Sequence, residues 1–314
     1  MRFSLTRVMP ALLAAGLAFG CSTISHQHIG RPPPRELATQ PDRPRALVIA
    51  VDGLRADVFA AYLGRLERAA YEPDWRSGLA LLRREGFHWA VAQRAEATAP
   101  ASGLSALATL ATGEYADVNG IPGDTFYEVD AGGRAARYDF EGPVDGSRLF
   151  FGPALALPDD AGPALPDTLL RTGTWYDQLA PAGHAAVVFQ PFVAGAEGII
   201  PQPSDVTGAA FLPDQLGAAA APLIDREVAR TLTELLLRDD STVIVASFRE
   251  VFTRSCEQDG CGGPSTDLRR IQTAALRALD DHLFTTFARY RTARPEAFQA
   301  LSVVLVGTRG VFDR

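Results

Sequence analysis

Four short apolar runs punctuate the chain, at Ala46–Val51, Ala185–Gln190, Thr242–Ala246 and Ser302–Val306. They are rich in Val, Ile and Ala and do not alternate with polar residues. Such runs are expected of parallel strands covered on both faces. Between them the spacing turns helical. Leu79–Glu85 leads up to Gly86, and Gly103–Ala111 leads up to Thr112-Gly113. Trp175–Leu179 is a short helical stretch, while Leu223–Leu237 and Leu268–Arg291 are long and amphipathic. In the last, Leu268, Ile271, Ala275, Leu279, His282 and Leu283 fall on one face. Strand–helix alternation predicts an α/β fold, a doubly wound and mostly parallel sheet with helices on both faces. The stretch at about 117–167 breaks the rhythm. It is dense in Gly, Pro and Asp, with aromatic runs at Thr125–Val129 and Arg148–Phe151, and reads as a loop-rich insertion or cap. Pro201–Pro222 reads as a second loop-rich excursion.

The first residues carry a different signal. Arg2 and Arg7 precede the apolar run Val8–Phe19, which is too short to span a bilayer and ends in Ala18-Phe19-Gly20-Cys21. Residues 1–20 therefore read as a secretory signal. A Cys directly after small residues resembles a bacterial lipobox, which implies lipid on Cys21. Ser22 after it points to the outer membrane facing the periplasm. Residues 21–45, rich in Pro, Arg, Gln and His without apolar periodicity, are expected to be a disordered tether. His26 and His28 fall within it. Residues 46–314 are long enough for one sizeable α/β domain that contains the insertion.

Charge narrows the partners. Net charge is −7, and every basic residue is Arg, with no basic stripe. A membrane, through the N-terminal lipid, is the expected partner, and nucleic acid is not. Besides Cys21 the chain has Cys256 and Cys261, close enough to bridge a loop. A disulfide there fits an oxidising compartment.

In open α/β sheets ligands collect beyond the carboxyl ends of the strands. Asp52 follows the first apolar run, Ser247–Glu250 the third and Gly307–Arg309 the fourth. The run Ile49-Ala50-Val51-Asp52-Gly53-Leu54-Arg55, the segment 96–124 with Thr98-Ala99-Pro100 and Thr112-Gly113, Thr168–Phe192 and Arg270–Leu283 together resemble the alkaline phosphatase superfamily. The resemblance is to its type I phosphodiesterase/nucleotide pyrophosphatase branch and runs from about Arg45 to Gly310. It implies hydrolysis of phosphate esters by a Ser or Thr at a helix N-terminus, assisted by two divalent metals of the zinc type. Asp52 would be a metal ligand. Thr98 matches the nucleophile motif but lies fourteen residues before Thr112, where the family spacing is about nine. Ser102 lies ten before it, and both positions stay open. Both are also ordinary helix-capping residues.

The remaining ligands do not follow. In Phe248–Pro264 only Asp259 and Gly260 match the family's Asp-x-x-x-His, with no His present, and Glu250 is the other nearby carboxylate. The fourth strand ends Gly307-Thr308-Arg309-Gly310, where the family has Ser-Asp-His-Gly. Of the five His, none stands at a strand end; His88, His184 and His282 read as structural. Arg309 can neutralise Asp52 or grip a phosphate-containing small molecule bidentately. The expectation is an envelope lipoprotein with a degenerate phosphatase-type core that binds or scaffolds and needs no cofactor. The alternative is an active metal-dependent phosphodiesterase or phosphatase.

Overall fold

The computed structural model describes residues 26–30, 45–69, 76–87, 103–129, 132–139, 169–179, 183–201, 213–238, 240–257 and 265–308. Strands β1 (His26–Gly30), β2 (Arg45–Val51), β5 (Ala185–Val188), β6 (Glu197–Pro201), β7 (Val243–Phe248) and β8 (Leu301–Gly307) form one sheet. The strand order is β1-β6-β5-β7-β2-β8. All neighbours run parallel except β1, which pairs antiparallel with β6. The α/β architecture expected from the alternation is therefore present. At the centre, β5 and β7 are buried at every residue, so both faces are covered.

Helix α1 (Ala56–Ala69) turns Val58, Tyr62 and Leu66 inward at four-residue spacing. Helix α2 (Gly78–Arg84) starts at Ser77, whose Oγ accepts the N–H of Ala80 at 3.0 Å. Helices α3 (Gly103–Thr112) and α4 (Ala116–Asn119) follow, then the hairpin β3 (Thr125–Val129) with β4 (Ala135–Asp139), and α5 (Trp175–Leu179). The later helices are α6 (Pro213–Arg238), α7 (Glu250–Glu257), α8 (Ser265–Ala293) and α9 (Pro295–Gln299). Leu268, Ile271, Ala275, Leu279 and Leu283 of α8 are all buried, the face expected from their spacing. Among the described residues no helix is long and apolar enough to cross a membrane.

Three expectations need correction. His26–Gly30 does not stay outside the fold but adds an edge strand to β6. Backbone hydrogen bonding at a sheet edge needs no apolar periodicity, so composition alone does not reveal it. Helix α6 starts at Pro213 rather than after Pro222, which lies inside it. Proline is tolerated at a helix's first turn, and the Ala-rich stretch between the two prolines has high helix propensity. Strand β8 is not covered on both faces: it is the sheet's edge, and Val304 is 50% exposed. Glu250 opens helix α7, directly after the end of β7.

Within the stretch read as an insertion, β3 and β4 form their own two-stranded sheet. Its beginning belongs to the core, because Asn119 and Ile121 are fully buried. Residues 140–168 lie outside the described residues, as do Cys21 and Cys261. Cys256 lies in the last turn of α7.

Candidate functional site

Register brings three strand ends to one level. Val51 of β2 pairs with Phe248 of β7 on one side and with Gly307 of β8 on the other. Pairing continues one step further: the N–H of Asp52 donates to the Phe248 carbonyl at 2.9 Å, and that of Thr308 to the Val51 carbonyl at 3.2 Å. Asp52, Arg249 and Thr308 thus leave the sheet side by side at its carboxyl edge.

Their side chains meet. Asp52 is 8% exposed. Thr308 Oγ1 donates to Asp52 Oδ1 at 3.3 Å, and Arg249 Nε stands 3.8 Å from Asp52 Oδ2. Thr308 occupies the Asp position of the resembled Ser-Asp-His-Gly motif, so a neutral donor replaces a second carboxylate. Arg249 is the residue that sequence reading missed. The available signal was its place directly after an apolar run, inside the window Ser247–Glu250.

The surrounding elements hold this group in place. Asp225 of α6, buried to 1% exposure, accepts the N–H groups of Arg249 at 2.9 Å and Glu250 at 3.0 Å. It thereby caps α7 through two donors that the helix itself leaves unpaired. Burial pushes the Asp225 carboxyl up to about 7, against those two hydrogen bonds. Burial also raises Glu250, whose Oε1 lies 2.5 Å from Arg254 Nη2. Gln272 Nε2 of α8 donates to the Gly53 carbonyl at 3.2 Å, tying the turn after Asp52 to the longest helix.

A second arrangement lies at the start of α3. Asp124 Oδ1 accepts the N–H of Leu104 at 2.7 Å, and Oδ2 that of Gly103 at 3.3 Å. Gly103 is nine residues before Thr112, the spacing of the resembled nucleophile, and it has no hydroxyl. Thr98 and Ser102 lie outside the described residues, as do Asp259 and Arg309. His184 is 6% exposed and sits 3.3 Å from Glu197 Oε2, which also pairs with Arg238. Burial pushes Glu197 up, but these two partners outweigh it and hold the carboxyl at about 2. His184 is therefore part of a packed polar cluster.

The described residues fit two divalent ions poorly. Among the described residues no three His, Cys, Asp or Glu side chains gather into a set able to hold a metal. Asp52 faces a hydroxyl and a guanidinium, and a fixed cation beside a carboxylate opposes a divalent ion there.

The profile of the family described as type I phosphodiesterase / nucleotide pyrophosphatase matches residues 46–248, from the start of β2 to the end of β7. No curated protein matches the chain. Solved structures of phosphonoacetate hydrolase from Sinorhizobium meliloti 1021 are similar to it, in complex with phosphonoformate (TM-score 0.45) and with phosphonoacetate (TM-score 0.46). Identity is 17% in both. The similarity covers 85% of this chain and 56% of theirs, so the chain spans about half the length of those proteins.

Proposed function

The chain belongs to the type I phosphodiesterase/nucleotide pyrophosphatase family of the alkaline phosphatase superfamily, and from that membership we propose that its phosphoester-hydrolase-like core is catalytically degenerate. It acts in binding or scaffolding at the bacterial envelope and needs no metal cofactor. The observation that carries this reading is the engagement of Asp52 by Thr308 and Arg249. A guanidinium supplies the charge balance that a divalent ion would otherwise give. It does not lower the pKa of an attacking hydroxyl as a bound metal does.

The purified mature protein is expected to hold no stoichiometric zinc, manganese or calcium by elemental analysis. With metal added, it is expected not to turn over aryl phosphate, aryl phosphodiester or aryl sulfate. Stoichiometric metal, with turnover abolished by Asp52→Ala and by Thr98→Ala or Ser102→Ala, would overturn the reading. That result would establish the active-hydrolase alternative, with ligands drawn from outside the described residues.

Anchoring is a separate part of the proposal and rests on Ala18-Phe19-Gly20-Cys21. Each acyl methylene contributes about 0.8 kcal/mol of membrane affinity, so several chains hold firmly. Cys21→Ser is expected to move the protein from the membrane pellet to the soluble periplasmic fraction. A wild-type protein already soluble after export removes the anchor.

A further inference from the structure

The antiparallel pairing of β1 decides where the start of the chain leaves the domain. Val188 of β5 lies opposite Ile199 of β6 and opposite Ala246 of β7, which in turn lies opposite Ile49 of β2. Two residues further along, Pro201 of β6 stands at the level of Val51, Phe248 and Gly307, the strand ends from which Asp52, Arg249 and Thr308 emerge. His26 is the partner of Pro201, and β1 runs away from it to Gly30, opposite Glu197. β1 therefore begins at the carboxyl edge of the sheet and heads toward the amino edge. A parallel β1 would have put its first residue at the other edge. Four residues, 22–25, separate Cys21 from His26. Fully extended, that connection reaches about 17 Å. A tether running free to Arg45 would reach about 80 Å. Three strands, β6, β5 and β7, lie between β1 and β2. At about 4.8 Å per strand, Asp52 stands about 19 Å from the anchored end, along the same edge.

We propose that β1 holds the carboxyl edge of the sheet, with the Asp52–Arg249–Thr308 group, against the headgroup layer of the bilayer that carries the lipid of Cys21. The inference rests on the lipid-anchor reading and deepens it. A long free tether lets a domain turn in any direction at any height. A connection of about 17 Å that ends at one edge of the sheet selects the edge that comes down. Its fixed point is the ladder of five residue pairs between β1 and β6. Arg249, with its side chain one-third exposed, puts a guanidinium at this edge. That charge complements the phosphate groups of a headgroup layer. The partner of the strand-end group is then the membrane surface itself rather than a solute reaching it from the far side of the domain.

Energy transfer from the mature lipidated protein to its membrane tests this. The protein is bound to vesicles of phosphatidylethanolamine and phosphatidylglycerol that carry an acceptor dye on the headgroups. A fluorescent amino acid replaces Ala56 or Gln299. Ala56 is exposed and lies four residues past Asp52, whereas Gln299 is exposed and lies two residues before β8, at the opposite edge. The two edges are about 20 Å apart along the strands. The label at Ala56 is expected to lie nearer the headgroups than the label at Gln299 by about 10–20 Å. Equal distances, or a shorter one from Gln299, overturn the proposal. An insertion of about twenty Gly and Ser residues between Ser25 and His26 adds a reach of about 25 Å and is expected to abolish the difference. The same insertion between Gly30 and Arg31, beyond β1, is expected to leave it unchanged. A difference lost with both insertions, or kept with both, shows that β1 does not select the edge and overturns the proposal. The two readings fail differently. A wild-type protein that does not stay with the vesicles removes the anchor and the orientation together, whereas firm binding with no difference between the labels removes only the orientation.

Discussion

Asp280→Ala is expected to destabilise the protein by roughly 3–5 kcal/mol, because it leaves several buried donors without an acceptor. Asp280 on α8 is fully buried. One carboxylate oxygen accepts the Tyr62 hydroxyl of α1 at 2.8 Å, and the other accepts the Leu79 N–H of α2 at 2.8 Å. Ser77 and the Gly78 N–H also donate to it. One side chain thus caps α2 and locks α1 and α2 against α8. Truncation removes no large apolar surface, so the cost lies almost wholly in orphaned polar groups. Burial raises the Asp280 carboxyl against its hydrogen bonds. Asp280→Asn, which keeps one acceptor, is therefore expected to cost clearly less than the alanine variant. Urea unfolding followed by circular dichroism measures both. Against a domain stability of about 5–15 kcal/mol, the alanine variant is expected to be partly unfolded at 37 °C. A midpoint within error of wild type would show that this cap does not hold the three helices together.

The parts of the fold that were legible in the sequence are those where burial on both faces forces a continuous apolar string. β2, β5 and β7 declare themselves in this way. β8 carries the same kind of string, Val303-Val304-Leu305-Val306, yet lies at the edge with Val304 half exposed. Its composition follows strand propensity, while its position follows topology, and one does not encode the other. β1 and β6 escaped because their pairing is made by backbone groups. α7 escaped because eight residues of helix bury little: Val251 and Ser255 face inward, and the cap that starts the helix comes from Asp225, 25 residues earlier in the chain.

The same division holds at the site. Asp52 was readable because a carboxylate straight after a buried parallel strand has few structural reasons to be there. Arg249 and Thr308 become its partners only through the register of β7 and β8 against β2. Asp124 gives no local signal, since the contact it makes on Gly103 and Leu104 spans a helix, a turn and a core residue. Long-range polar contacts of this kind have no period to detect.

Gly53→Ala is expected to cost about 3 kcal/mol and to disturb the pairing of Arg249 with Asp52, through two separable effects. Gly53 has φ +81°, and an L-residue held in this region costs about 1–2 kcal/mol. A Cβ there would also lie 2.6 Å from the Phe252 Cα, a backbone atom of α7. That helix is not free to back away. Asp225 holds the N–H groups of Arg249 and Glu250, and Val251 is buried to 1%. Forcing the two apart adds overpacking strain of about 1–3 kcal/mol and pulls α7, with the adjacent Arg249, off the strand end where it faces Asp52. Gly86 is the internal comparison. Its φ is +91°, but a Cβ there meets nothing within 4 Å. Gly86→Ala should therefore show the backbone cost alone, about 1–2 kcal/mol. The difference between the two variants in urea unfolding isolates the contact between the Asp52 turn and α7. If both cost the same, the close approach of Phe252 does not constrain the turn, and the strand-end group is held by β7 and β8 alone.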